Sequence, residues 1–355
     1  MKKILILNRR DILNPLSGGA EKYTFEIAKA LLEKNFEVHW FSSKFKGSKD
    51  EEFYNGIKII RKGNELFTHF WGFIYALKNR KNYYLIIDEF NGIGFFTFFL
   101  KNSILLVHQL YQEFWTCEMG KLFFFMKYIE KVLLSLYRKK FTITVSNSTF
   151  QDLKMLKFEN VHIVENGIDQ INYSCEKENS LNLCFLGRLR KTKNPEEAIE
   201  IFLKVKNFIK DAKMLVIGSG PLETYLKNNY KNERDLKFLG YLNEEEKFKN
   251  LCKSHFLIVP SIREGWGIVV IEANSVGVPV IGYDVPGLRD SIKNGLNGFL
   301  VKDLKSAVDK IIEVWNNKEL YYKLCESSKN YARNYSWEIT RKKFLKVISE
   351  NFNAL

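Results

Sequence analysis

The sequence predicts an α/β protein with two doubly wound domains, and three observations support this prediction. Short apolar runs typical of buried strands alternate with amphipathic stretches of helical periodicity along the chain. Glycine-containing turns follow several of these runs, as they do where helices begin above strand ends. The length of 355 residues suits two domains of ordinary size. We therefore expect two mostly parallel sheets with a cleft between the carboxyl ends of their strands.

The first half opens with a strand pattern at residues 2–8, the turn Ser17-Gly18-Gly19 and an amphipathic stretch that reaches residue 34. Strand, glycine turn and helix form the usual start of a doubly wound domain, although a glycine pair also occurs in turns for steric reasons alone. Further strands are predicted at 37–42, 57–60, 84–88, 103–107 and 141–145, and helices at 67–80, 120–139 and 149–156. This alternation predicts one parallel sheet.

The second half repeats the alternation after a turn at Asn166-Gly167-Ile168-Asp169. Strands are predicted at 181–187, 214–217, 237–239 and 255–260, and helices at 194–210, 222–230, 243–252, 303–316, 318–334 and 337–352. We therefore expect a first domain at 1–169, a polar linker at 170–180, a second domain at 181–335, and a C-terminal helix at 336–355 that packs back on the first domain.

The amino-acid composition indicates which kinds of binding partner and which cellular compartment to expect. With 46% apolar and 27% charged residues the chain can bury two cores, and its net charge of +14 favours nucleotide phosphates or anionic lipid as partners. A general richness in lysine would explain the same charge. No nucleic-acid-binding module is recognisable, so a nucleic-acid partner is not expected.

Five scattered cysteines without a CxxC pair argue for a reducing compartment and against a structural zinc site. No apolar run is long enough to span a bilayer, and the chain opens directly on a strand pattern rather than on a signal peptide. The expected location is the cytoplasm, either in solution or peripherally on the inner face of the membrane.

The segment at residues 260–290 carries the main functional signal. It follows the apolar run FLIV, and within it Glu264 and Glu272 stand eight residues apart, the first in a turn and the second on a helix. The amides of Gly267, Ile268 and Val269 would be the unpaired donors of that helix start and would suit a diphosphate. Two carboxylates beside an anion site match a sugar nucleotide. The alternative is a pair of solvated glutamates.

Two further turns lie at strand ends of the same predicted sheet. Arg188 follows the first strand of the second domain and Lys193 lies five residues later, so the pair would neutralise a diphosphate. A solvated basic loop is the competing interpretation. Gly218 lies in the next such turn, where its backbone would allow a ribose or base to approach closely.

Taken together, these residues resemble those of the retaining glycosyltransferases of family four, which have the two-domain GT-B fold. The resemblance covers nearly the whole chain and is strongest in the second half. The matching features are the E-x7-E pair Glu264 and Glu272, the basic pair Arg188 and Lys193, the glycine loop Gly18-Gly19, the NG[VI]D segment at 166–169, and the glycine-rich pattern at 286–301.

The resemblance implies specific roles in donor binding. Arg188 and Lys193 would hold the diphosphate and stabilise charge on the departing nucleotide. Glu272 would accept from the ribose hydroxyls, and Glu264 from hydroxyls of the transferred sugar.

For the first domain, the resemblance implies that Gly18 and Gly19 line the phosphate and acceptor side. His108, at the end of a predicted strand, would bond the donor sugar and orient it. A histidine in such a position also serves structural roles in many proteins.

By the same resemblance the reaction would be hexosyl transfer with retention of configuration. Stabilisation of the leaving group would let the anomeric bond loosen before the acceptor hydroxyl attacks from the same face. No DxD-like pair is present where a metal-dependent transferase would need one, so we expect no cofactor and no metal requirement.

The sequence gives less information about the acceptor substrate than about the sugar donor. Residues 121–140 combine six Lys or Arg and one Glu with apolar residues, which predicts either a basic helix lying on anionic membrane or a core helix with a lysine-rich exposed side. The phenylalanine-rich stretch at 94–100 is expected in the core.

The favoured function is therefore a hexosyltransferase that uses a UDP- or GDP-sugar to build a cell-surface or lipid-linked glycan. A sugar-nucleotide epimerase of the same fold and a catalytically silent GT-B binding subunit are the alternatives. A nicotinamide dehydrogenase is disfavoured, because no G-x-G-x-x-G follows the first strand.

Overall fold

The computed structural model describes residues 1–170, 173 and 175–352, and these residues divide into two compact units. The first unit contains Met1–Trp115, Leu122–Gly167 and the segment that begins at Trp337. The second contains Thr116–Lys121 and Ile168–Ser336. The predicted linker at 170–180 includes positions 171, 172 and 174, which lie outside the described residues.

The described chain alternates strands and helices throughout. The strands are β1 (Lys3–Leu7), β2 (Glu37–Ser42), β3 (Glu51–Tyr54), β4 (Ile57–Arg61), β5 (Leu85–Phe90), β6 (Ser103–Val107), β7 (Thr142–Thr144), β8 (Val161–Ile163), β9 (Asn182–Leu186), β10 (Lys213–Ile217), β11 (Leu236–Gly240), β12 (Phe256–Val259), β13 (Val280–Tyr283) and β14 (Gly298–Val301). The helices are α1 (Gly19–Glu33), α2 (Thr68–Asn79), α3 (Gln112–Met119), α4 (Met126–Ser135), α5 (Asn147–Met155), α6 (Pro195–Phe208), α7 (Glu223–Asn229), α8 (Glu244–Leu251), α9 (Ile268–Ser275), α10 (Leu288–Ser291), α11 (Leu304–Asn316), α12 (Lys318–Ala332) and α13 (Trp337–Asn351).

The first unit is built on an eight-stranded sheet of order β3-β4-β2-β1-β5-β6-β7-β8. Its central strands β1, β5 and β6 are buried on both faces, which is why their sequences are mainly apolar rather than alternating, apart from Asp88 and Glu89 in β5. The pairing is parallel except at the edge, where β3 runs antiparallel to β4. The prediction of one parallel sheet therefore missed one hairpin strand, whose sequence EEFY carries two acidic residues and little apolar signal.

The second unit has a six-stranded, all-parallel sheet of order β11-β10-β9-β12-β13-β14. Strand β9 lies at its centre, between β10 and β12, so the loops that follow β9 and β12 leave the same edge of the sheet side by side. One large core of aliphatic and aromatic side chains packs α6 and α11 against this sheet. Strands β13 and β14 were not predicted, because their four-residue runs are short and lie between turns.

Helix α13 packs against α1 within the first unit. The guanidinium of Arg341 donates to Glu26 over 2.6 Å, and Glu26 is buried on α1. The Thr340 hydroxyl donates to the Glu165 carbonyl over 3.0 Å. The final helix thus belongs to the same unit as the opening strand.

The segment predicted as one helix at 120–139 is broken. A short 3-10 turn at Lys121–Phe123 precedes α4, and α3 ends at Met119. Gly120, at the start of this segment, has φ +98°, a left-handed backbone that separates the segment from α3. Among the residues that the structure describes, no helix is both long enough and apolar enough to cross a bilayer.

The structure contains a cysteine pair that the sequence did not indicate. Cys175, in the segment before β9, forms a disulfide with Cys252 at the end of α8, and their Cα atoms are 5.9 Å apart. The two residues are separated by 77 positions, so no local spacing could have indicated the bond.

Candidate functional site

Two loops of the second unit form the centre of the candidate donor site. One follows β9 and contains Arg188 and the 3-10 turn Lys191–Lys193, and the other follows β12. The amide of Ile262 donates to the Thr192 carbonyl over 3.0 Å, which fixes one loop against the other. Both loops lie at the carboxyl edge of the sheet, where parallel α/β sheets bind ligands.

Lys193 and Glu264 form an ion pair across these loops. The Nζ atom of Lys193 lies 2.5 Å from Oε1 of Glu264 and also contacts Oε2. The Ser261 hydroxyl donates to the same Oε1 over 2.7 Å. Glu264 is only 8% exposed, so these hydrogen bonds offset the cost of burying its charge.

The backbone around Glu264 is fixed by a second turn. Its amide donates to the Pro286 carbonyl over 3.1 Å. The neighbouring Gly287 has φ +85°, and a Cβ atom there would lie 2.2 Å from the Glu264 carbonyl oxygen. Only glycine permits this close approach, which explains part of the glycine-rich pattern downstream of the E-x7-E pair.

Helix α9 begins abruptly at Ile268, four residues after Glu264. Gly267 precedes it with φ +91°, in the left-handed region. Within the described parts of the chain, the amides of Gly267, Ile268 and Val269 donate no hydrogen bond to a protein acceptor. They are the unpaired donors expected at a helix start, close in sequence to the Lys193–Glu264 pair.

Glu272 lies on α9 and pairs with a residue that the sequence had not singled out. Its Oε1 atom is 2.7 Å from Nζ of Lys247 on α8, and that Nζ also lies 2.7 Å from Oε1 of Glu244. Burial disfavours the charge on Lys247, but the two carboxylates outweigh this effect and raise the pKa of Lys247 above its ordinary value.

The remaining predicted residues of this unit lie at the same sheet edge. Arg188 directly follows Gly187 beyond β9 and is half-buried. Gly218 follows β10, and its amide donates to the Gly240 carbonyl over 2.8 Å. The structure thus joins Lys193 to Glu264 directly, whereas Glu272 bonds to Lys247.

In the first unit, Gly18 and Gly19 begin α1 after the loop that follows β1. The Gly18 amide donates to Oε2 of Glu21 over 2.7 Å, so this side chain already occupies one donor of the helix start. Glu21 also places a negative charge in the first turn, where it interacts favourably with the helix dipole.

His108 directly follows β6 and is 8% exposed. Its Nε2 atom lies 3.3 Å from Oε2 of Glu89, and the ring meets Tyr23 edge-on with centroids 5.2 Å apart. Glu89 is fully buried and accepts from the Thr24 hydroxyl over 2.5 Å and from the Asn8 amide over 2.7 Å. Burial raises the pKa of Glu89, although its hydrogen bonds with His108 and Thr24 act in the opposite direction.

Sequence reasoning missed Glu89, Lys247 and Ser261. Glu89 was detectable in principle, because Asp88 and Glu89 are two acidic residues within a buried strand. Lys247 offered no such signal, since it stands among the charged residues of EEEKFKN and resembles a solvated helix face.

The chain is similar to known glycosyltransferase families over most of its length. The family profile described as "Glycosyl transferases group 1" matches residues 169–335, and that described as "Glycosyltransferase Family 4" matches 17–170. An uncharacterised glycosyltransferase of Methanocaldococcus jannaschii is 28% identical over 60% of this chain and 61% of its own length. The UDP-Gal:alpha-D-GlcNAc-diphosphoundecaprenol alpha-1,3-galactosyltransferase of Escherichia coli is 32% identical over 41% of this chain and 39% of its own length. These matches thus span less than two thirds of either relative.

Among solved structures, the sucrose-phosphate synthase of Thermosynechococcus elongatus superposes with a TM-score of 0.82. It is 18% identical, and the alignment covers 100% of both chains. This likeness establishes the fold, which is GT-B with two Rossmann-like domains. The two family matches together extend from residue 17 to residue 335, and the predicted resemblance is confirmed. The chain belongs to the group 1 glycosyltransferases of family 4.

Proposed function

We propose that this protein is a retaining hexosyltransferase that uses a UDP- or GDP-sugar and transfers the sugar to a hydroxyl of a glycan or lipid-linked acceptor. The observation that carries the proposal is the Lys193–Glu264 ion pair at the start of α9. The cation of Lys193, the carboxylate of Glu264 and the unpaired amides at the start of α9 all belong to one edge of the sheet. A nucleotide sugar needs donors for its phosphates and acceptors for its sugar hydroxyls, and this edge supplies both.

In the proposed reaction, Arg188, Lys193 and the amides from Gly267 to Val269 stabilise the negative charge that develops on the departing nucleotide. Glu264 accepts from hydroxyls of the transferred hexose, and Ser261 keeps that carboxylate in place. His108, from the first unit, orients the donor sugar. The acceptor hydroxyl attacks from the face that the nucleotide leaves, so the anomeric configuration is retained.

The proposal includes metal independence, because lysine, arginine and amide donors can carry the charge that a divalent ion would neutralise elsewhere. We also propose that the acceptor is a lipid-linked glycan. The Escherichia coli relative named above is described as acting on a diphosphoundecaprenol-linked sugar, which supports this choice.

A panel of UDP- and GDP-sugars tests donor use. We expect one donor to raise the melting temperature and to be consumed only when an acceptor extract is added, with turnover unchanged in EDTA. Consumption without acceptor would favour an epimerase. Binding without consumption would favour a silent subunit, and loss of turnover in EDTA that Mg²⁺ restores would reject metal independence.

We further propose that the first unit docks on anionic membrane through the 122–136 face, defined by the exposed apolar residues of that segment. These are Leu122, Phe124, Phe125, Tyr128, Ile129, Val132 and Leu136. Leu122 is 85% exposed and Val132 is 63% exposed, and Lys127 and Lys131 are interspersed among them. Apolar side chains flanked by cations match the interface of an anionic bilayer.

Co-sedimentation with phosphatidylglycerol vesicles and with phosphatidylcholine vesicles tests this surface. We expect binding to the anionic vesicles that falls with salt and is lost in Leu122→Asp/Val132→Asp. The control is Phe208→Asp, because Phe208 is 71% exposed on the second unit. Equal binding by wild type and the double variant would reject the proposed surface.

A further inference from the structure

Lys247 is a buried cation beside the carboxylate expected to bind ribose. It lies on α8 with its side chain 11% exposed, and its Nζ is 2.7 Å from Glu272 and 2.7 Å from Glu244. Glu272 is itself mostly buried, with its side chain 15% exposed. Lysine is rarely buried unless a specific partner requires it, so the position calls for an explanation.

Helix α8 holds Lys247 on a well-anchored element. Phe248 and Leu251 are fully buried on the helix, and Cys252 at its end is bonded to Cys175. Lys249 lies on the other side of the helix, where it forms an exposed pair with Glu245 over 2.6 Å. The two lysines of one helix therefore differ in their surroundings, although they are only two positions apart.

The pair leaves both a donor and an acceptor available to a ligand. An ammonium group has three protons, and the carboxylates of Glu272 and Glu244 take two of them. Oε2 of Glu272 accepts no hydrogen bond from any residue within the described ranges. A lysine proton and a carboxylate oxygen without a protein partner thus belong to two groups that are in direct contact, 2.7 Å apart.

We propose that Lys247 binds a ribose hydroxyl of the donor beside Glu272, the carboxylate that the family resemblance assigns to the ribose, and that Lys247 makes the site selective for ribonucleotides over 2′-deoxyribonucleotides. This inference rests on the proposed function, because it requires a nucleotide donor. The 3′-hydroxyl donates to Oε2 of Glu272, and the 2′-hydroxyl accepts from Nζ of Lys247. A deoxyribose leaves one of these buried groups without its partner, which a site built for a hydroxyl penalises.

Ligand selectivity separates this role from a structural one. A lysine that only neutralises Glu272 would change stability and the affinity for ribo- and deoxyribonucleotides by the same factor. A lysine that binds ribose changes the ratio of the two affinities.

The test measures binding of UDP and GDP by calorimetry, then compares whichever binds more tightly with its 2′-deoxy counterpart. We expect wild type to prefer the ribonucleotide by about tenfold or more. Lys247→Met should weaken ribonucleotide binding about tenfold and reduce the preference to about threefold or less. The matched control, Lys249→Met, should keep both wild-type values.

Three results would overturn the inference. Equal affinity of wild type for the two sugars would reject ribose selectivity while leaving nucleotide binding intact. An unchanged ratio in Lys247→Met would reject the role of Lys247. Binding of neither UDP nor GDP by wild type would reject the proposed function and this inference together.

The role of Lys247 can be tested even if the Lys247→Met variant does not fold. If Lys247→Met fails to fold, Lys247→Arg keeps the positive charge while moving the donor atoms away from their present position. We then expect the ribose preference to fall at least about threefold with the melting temperature held. An unchanged preference in this variant would also overturn the inference.

Discussion

The candidate groups of the two units are stabilised in different ways. In the second unit, the Lys193 and Glu264 side chains are 23% and 9% exposed and form an ion pair between two loops. In the first unit, His108 bonds to Glu89, which is fully buried and already accepts from Thr24 and Asn8. The second unit therefore offers charges that can exchange partners with an arriving anion, whereas the first offers a group whose orientation is set in advance.

This difference follows from the cost of burying charge. Lys193 is partly exposed and loses little when it turns to a ligand, because solvent and the ligand replace the lost interaction, while the buried Glu264 keeps its bond from the Ser261 hydroxyl. A fully buried carboxylate must keep its hydrogen bonds or lose several kcal/mol of stabilisation, about 3 or more by analogy with other buried pairs. Substitutions in the second unit should thus affect catalysis first, and substitutions around Glu89 should affect folding as well.

The largest expected effect comes from Lys193→Ala. Removing a cation that stabilises the leaving group should lower kcat/KM by about 10²–10³-fold. The control is Lys191→Ala, in the same 3-10 turn but exposed. Steady-state kinetics with the identified donor measure both variants. A loss in kcat/KM below about threefold in Lys193→Ala would contradict the proposal that Lys193 stabilises the leaving group.

Glu89→Gln should destabilise the protein by about 2 kcal/mol, because an amide NH₂ would replace an oxygen that accepts from Asn8 or Thr24. Urea unfolding measures this change. Glu33→Gln, at a side chain 60% exposed on α1, serves as control and should stay within about 0.5 kcal/mol of wild type. Wild-type stability in Glu89→Gln would mean that the buried carboxylate does not hold His108 in place.

Protonation of His255 should destabilise the second unit in acid. Burial lowers the pKa of His255 to about 4, and its Nδ1 accepts from the Asn182 amide over 2.9 Å. The unfolded chain, with a pKa of about 6.5, binds the proton more readily, so this contribution is complete above pH 6.5 and is lost as pH falls towards 4.

From these values we expect a loss of about 2 kcal/mol between pH 7 and pH 5. Calorimetry of wild type and His255→Gln measures it, and the variant should show a flatter pH dependence. Identical slopes would contradict the prediction. Burial also lowers the pKa of His69 in the first unit to about 4, so part of the acid sensitivity should persist in the variant.

The smallest effect is expected at the contact between α13 and α1. Arg341→Met removes one donor from buried Glu26, which keeps its bond to Lys29 over 2.9 Å. A loss of about 1 kcal/mol in chemical denaturation should follow. Lys342→Met, at a side chain 74% exposed on the same helix, should be neutral. Equal stability of the two variants would show that the Arg341 bond contributes nothing.

Strand positions were predictable where a buried strand is five or six residues long and mainly apolar, but not for the buried four-residue strand β13. The predicted strand at 103–107 coincides with β6, because a central parallel strand favours a nearly unbroken apolar run. The predicted strand at 37–42 coincides with β2, although its sequence EVHWFS includes Glu37 and His39. The edge strand β3 could not be found in this way, since one face and one edge remain in water. The break between the 3-10 turn at Lys121–Phe123 and α4 was missed because apolar residues continue through it.

In the candidate site, sequence spacing indicated residue types but not partners. Glu264 and Gly267 were identifiable because a carboxylate and a helix start stand close together in the chain. The bond from Glu264 to Lys193 joins residues 71 positions apart, and that from Glu272 to Lys247 joins residues 25 apart. Neither contact follows from the residue periodicity of a helix or a strand, which relates only residues that are close in the sequence.

By itself, the sequence determined the alternation of strands and helices, the abrupt helix start at Gly267 and the family to which the chain belongs. These follow from local patterns, because side-chain periodicity and backbone freedom act within a few residues. Only the tertiary structure decided that Lys247 meets Glu272, that Glu89 meets His108 and that Cys175 meets Cys252. Such contacts depend on which strands become neighbours in each sheet, and that order is set by packing of the whole unit rather than by any short segment.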